Sequence, residues 1–91
     1  MHPLKLNIFE RIIMVFTAEL IEEVNLLTQY NLKNEQDGIK VHHEAAAELI
    51  AAAKRLHEKG IVSQHDGGYL TDLGRKAAEH AQDLSLILKT S

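Results

Sequence analysis

The chain has no cysteine, and aromatic residues make up only 4% of its 91 positions. Without cysteine there is neither a disulfide framework nor a thiolate metal site, which fits a reducing compartment such as the cytoplasm. No apolar run is long enough to span a bilayer, so no membrane partner is expected. The opening stretch MHPLKLNIFERIIMVF is broken by Glu10 and Arg11 and is followed by no small-residue cleavage site. A secretion signal is therefore not expected. Positive charge is not in excess either, because the formal net charge is −3. That argues against indiscriminate nucleic-acid binding, which needs a basic face to displace counterions. It leaves room for a local basic patch, because a surface field depends on how charges are arranged.

Catalytic patterns are also lacking. There is no glycine-rich phosphate loop and no nucleophile elbow. Ser63, His65 and Asp66 are neighbours, but adjacency on a turn does not build a triad. The six histidines show no compact HxxxH or HExxH spacing. His43 and His57 would share a helix face, yet His57 and His80 are better read as core-edge residues. No enzyme, cofactor or metal site is expected, and as a set the histidines would make surface charge sensitive to pH.

What the chain does have is helical periodicity. Residues 18–30 carry Leu20, Val24 and Leu27 on one stripe, widened by Ile21 and Tyr30. Glu19, Glu22 and Glu23 are expected on a solvated face. Upstream, Phe9, Ile12, Ile13 and Phe16 continue the period. This leaves two readings: one long helix from about Lys5 to Tyr30, or a break with Thr17 as N-cap. Residues 1–16 are read as an N-terminal extension or extra helix, with Met14 a candidate natural start, and residues 17–91 as the main domain.

Residues 31–41 hold turn formers, room for one helical turn near Asn34–Asp37, and then a short strand at Ile39-Lys40-Val41. The spacing predicts a helix over 43–59, with Ala46, Leu49, Ile50, Ala53 and Leu56 towards the core. Gly60 sits where a left-handed C-cap belongs. Ile61–Gln64 and Tyr69-Leu70 are β-prone, and His65-Asp66-Gly67-Gly68 between them supplies turn chemistry. The last helix opens at Thr71 or Asp72 and runs to about Leu88, with Leu73, Ala77, Ala81, Leu84 and Leu88 as its stripe. Gly74 in its first turn costs about 1 kcal/mol against alanine, which points to a close contact with the hairpin.

Helix, hairpin and helix in this order define the fold class: mainly α with a small β-hairpin, winged helix-turn-helix-like. Segment 31–42 is too short for a regular helix 2, which is therefore abbreviated or absent. GIKVHH at 38–43, RLHEKGIV at 55–62 and DGGYLTDLGRKAAEHA at 66–81 resemble a small bacterial family of uncharacterised proteins. Its members carry labels as DNA-binding proteins or transcriptional regulators. The resemblance runs from about Val15 to Leu84. More broadly, KGIV, a turn and YLTDLGRKA are similar to the wing and following helix of MarR- and PadR-type regulators. There a leucine-threonine pair ends the wing strand and a glycine sits in the next helix's first turn. Leu70-Thr71 and Gly74 hold those positions.

The resemblance implies a cytoplasmic, homodimeric DNA-binding protein. Helix 43–59 would enter the major groove and the 61–70 hairpin would lie on the backbone. Lys40, His42, His43, Lys54, Arg55 and Arg75 are the expected DNA contacts. Helix 72–88 and the apolar residues 6–16 are the expected dimer seam. Glu44 and Glu48 oppose phosphate, so a protein-interaction module of the same fold is the alternative.

Overall fold

The computed structural model describes residues 15–90, so most of the expected N-terminal extension and of the 6–16 seam lies outside the described residues. Among the described residues, three helices and a small antiparallel sheet follow in the order α1 (Ala18–Leu27), β1 (Ile39–Lys40), α2 (Ala47–Glu58), β2 (Val62–Gln64), β3 (Gly67–Leu70) and α3 (Asp72–Lys89). The expectation of a mainly α fold with a β-hairpin holds.

α1 starts at Thr17, whose hydroxyl oxygen accepts from Leu20 N at 3.2 Å, so the helix is N-capped at the break. It ends under a side chain of α3: the Gln82 amide donates to the carbonyls of Leu27 at 3.3 Å and Tyr30 at 2.7 Å. Residues 31–38 form turns rather than a second helix. The Asn31 and Asn34 side-chain oxygens accept from Lys33 N and Gln36 N, each at 3.0 Å. Such Asx turns give the backbone an alternative to helical bonding. Asp37 N closes only one turn onto Asn34 O.

β1 pairs with β3, and β3 with β2, giving the strand order β1-β3-β2. Lys40 lies opposite Gly67, and Val41 N donates to Asp66 O at 2.8 Å. The chain is thus still extended at Val41. It reverses through a turn closed by Ala45 N on His42 O, and α2 begins at Ala47 rather than at residue 43. His43 lies ahead of the helix and shares no face with His57. Ala46 is exposed and Ala52 takes the expected core place, beside Ala53 and Leu56.

α2 ends as expected on Gly60 at φ +76°. Gly60 N reaches back to His57 O and Ile61 N to Leu56 O, a Schellman-type stop. The hairpin turn leaves Asp66 in ordinary backbone territory and puts positive φ on Gly67 and Gly68. β3 therefore starts two residues before Tyr69, and its pairing with β2 shifts register between Val62 and Gln64.

The core joins Leu26, Leu27 and Tyr30 to Val41, Leu56, Val62, Ala78 and Ala81. The buried positions of α3 are Gly74, Ala78 and Ala81. The leucine stripe expected there is offset: Leu73, Leu84, Ile87 and Leu88 are exposed. Small residues on α3 let it approach α1 and the hairpin closely, and the larger ones fall on its flank. His57 and His80 are exposed too, not at the core edge.

One junction aims the hairpin at α3. The Thr71 hydroxyl donates to Gly60 O at 2.6 Å and, as N-cap, accepts from Gly74 N at 3.0 Å. A Cβ at Gly74 would run into the Ile61 carbonyl oxygen. Gly74→Ala should therefore destabilise the protein despite alanine's better helix propensity, by about 1–3 kcal/mol. A urea midpoint unchanged or raised in this variant would contradict the packing described.

Candidate nucleic-acid interface

α2 has two chemically different flanks. One faces α1 and carries Arg55 and Lys59. The other carries Ile50, Lys54 and His57, which share a face at i, i+4 and i+7.

On the α1 flank, Glu23 is the one buried charged residue among the described residues, at 4% exposure. Arg55 Nε donates to its Oε2 at 2.7 Å, and Lys59 Nζ donates to Oε1 at 2.5 Å. Arg55 also donates to Glu19 O at 3.2 Å and stands 3.9 Å from the Glu19 carboxylate. Burial alone would raise the Glu23 carboxyl. The hydrogen bonds and charges of Lys59 and Arg55 outweigh it and hold the group below its ordinary range. The expectation of a fully solvated acidic face thus fails at Glu23, because the stripe of α1 that meets α2 passes through it.

The six residues expected at DNA separate accordingly. Arg55 is turned to α1 and occupied there. Arg75 is occupied as well: it donates to Leu32 O at 3.1 Å and stands 3.6 Å from the Glu35 carboxylate. Lys40, His42, His43 and Lys54 are exposed. His43 approaches only Glu44, at 4.0 Å, with both side chains almost fully solvated.

Lys40 and His43 are brought together with a residue not expected there, His65 of the hairpin turn. With Val41, Ile50, Ala53 and Asp66 they line a cleft of about 260 Å³ between β1, α2 and the turn. Ile50 connects this cleft to the Lys54–His57 face of α2. No local signal marks His65, since the β1–β3 register alone carries Lys40 to it. Tyr30 lies behind the sheet, its hydroxyl donating to Gly68 O at 3.1 Å. Burial, aided by the Asp66 charge, pushes its pKa up to about 12. No cluster of three or more histidine, aspartate or glutamate side chains suited to a metal ion occurs among the described residues. No helix among them is long and apolar enough to cross a membrane.

Residues 14–89 match a family model, and that span takes in both flanks of α2 and the hairpin. The chain belongs to the family of unknown function DUF5669. No curated protein and no solved structure matches it.

Because Glu23 has a depressed pKa in the fold, its contribution is complete above the unfolded carboxyl range. It is lost as pH falls through the folded value. Glu23→Gln should cost about 1–3 kcal/mol at pH 7, discounted for the partly exposed cations. The gap to the parent should narrow below about pH 4.3, the ordinary glutamate value. Urea unfolding of both proteins across pH 3–7 measures this, and a constant gap would refute the ion-pair assignment.

Proposed function

We propose that this chain is a winged-helix-like module that binds duplex DNA as a homodimer, in the manner of a transcriptional regulator. α2 would lie in the groove and the β2–β3 hairpin against the backbone. The observation that carries the reading is the convergence of Lys40, His43 and His65 on one cleft beside the Lys54–His57 face of α2. The helix-strand-helix-hairpin-helix order and the strand order β1-β3-β2 support it. The exposed Leu84, Ile87 and Leu88 of α3 supply the apolar surface for the second copy, which lets one protein address two half-sites. A reducing cytoplasm suits a chain without cysteine.

The contact set is narrower than the basic residues of the sequence suggest. Arg55 and Arg75 leave it as structural residues, and Lys40, His42, His43 and Lys54 remain, joined by His57 and His65. The two lysines stand against Glu44, Glu58 and Asp66. A second reading, an interaction module without DNA, draws support from Glu23, which takes Arg55 and Lys59 out of the field.

Fluorescence anisotropy with a labelled duplex separates the two. Affinity should weaken steeply as salt rises. Lys40→Glu with Lys54→Glu should cost a further factor of about ten without lowering stability. Binding indifferent to salt and to this double substitution would leave the interaction module standing.

A further inference from the structure

We propose that Tyr69 and the sheet surface around it form a stacking site for an unpaired nucleotide of single-stranded nucleic acid. The site is distinct from the groove of α2 and shares only its edge, Lys40 and Asp66, with the cleft described above. Tyr69 is the half-exposed aromatic of the sheet, at 49%. Its backbone N donates to Ser63 Oγ at 2.8 Å, which pins β3 where its register against β2 shifts. The ring is backed by glycine: a Cβ at Gly38 would stand 3.2 Å from Tyr69 Cε1 and 2.8 Å from Gly68 O. A side chain at Gly38 would thus crowd the Gly68 carbonyl and the edge of the ring, while about half of the Tyr69 surface stays open to solvent.

Around it a cleft of about 300 Å³ is lined by Gly38, Lys40, Gln64, Asp66 and Gly68, with Ile39 beneath. These side chains match the parts of a nucleotide. An exposed ring offers a stacking surface that any base can use. The Gln64 amide can both donate to and accept from a base edge. The Lys40 ammonium suits a phosphate. Asp66 opposes that charge, so stacking carries more of the affinity than Coulomb attraction does. Salt dependence should then be shallow, near the slope of about −0.7 in log–log form that one single-strand phosphate contact gives.

The intrinsic tyrosine signal tests this directly. The chain has two tyrosines and no tryptophan, and Tyr30 is buried with its hydroxyl bonded to Gly68 O. Titration with single-stranded oligothymidylate and oligouridylate should quench the emission with at least one of them. Tyr69→Leu should weaken that oligonucleotide's binding, followed by anisotropy, about five-fold or more, while Tyr69→Phe retains it. Circular dichroism establishes that both variants fold. Duplex affinity should fall less than single-strand affinity in Tyr69→Leu. Loss of single-strand binding on Tyr69→Leu supports the site even where duplex binding is absent, so the two readings fail separately. No quenching, a Tyr69→Leu variant that binds like the parent, or equal losses for duplex and single strand would each overturn it.

Discussion

The Glu23 carboxylate is the interaction on which the rest of the arrangement turns. A buried charge costs several kcal/mol unless it is paired and hydrogen-bonded. Glu23 meets that requirement by taking one donor from Arg55 and one from Lys59, which lie one helical turn apart on α2. The pairing sets the rotation of α2 against α1. With Arg55 and Lys59 turned inward, Lys54 and His57 must face out, and Ile50 must face the sheet. Which residues of α2 are available to a partner is thus decided inside the fold. It is decided by a residue on another helix.

A second constraint directs the hairpin and α3. Thr71 bonds to the carbonyl of Gly60 at one end and caps α3 at the other. Gly60 stops α2, and Gly74 admits the Ile61 carbonyl into the first turn of α3. The end of α2, the start of β2 and the start of α3 are therefore locked within one short stretch of chain. The hairpin cannot swing far from α2, so Lys40 and His65 stay beside Ile50. Strands this short gain their stability from that lock rather than from their own pairing.

These two constraints differ in how visible they are from sequence. Glycine and threonine announce backbone needs locally, so Gly60 and Gly74 could each be assigned a role from their neighbours alone, while Thr17 and Thr71 stood as cap candidates that the structure settles. The strand at 39–41 was likewise legible, from β-branched residues following a glycine. Glu23 was not, since nothing adjacent distinguishes it from Glu19 or Glu22. Its partners stand more than thirty residues downstream, and only the packing of α1 on α2 makes it the buried member of the run. The start of α2 was misplaced for a related reason: alanine and glutamate favour helix from residue 44 on, but the bond from Val41 N to Asp66 O holds the preceding chain extended. On α3 the leucines carried the periodic signal, whereas small residues make the close contacts. A helix that must approach two neighbours buries its alanines and leaves its larger side chains on the flank.

The same distinction bears on function. Counting lysines and arginines along the helix and wing suggests a basic surface, yet salt bridges and carbonyl contacts remove three of those cations from it: Arg55, Lys59 and Arg75. What remains outward beside the cleft is Lys40, Lys54 and a set of imidazoles, with Lys76 exposed further along on α3. A net charge of −3 does not by itself exclude a nucleic-acid partner, because a surface field depends on how charges are arranged and one of the carboxylates, Glu23, lies inside.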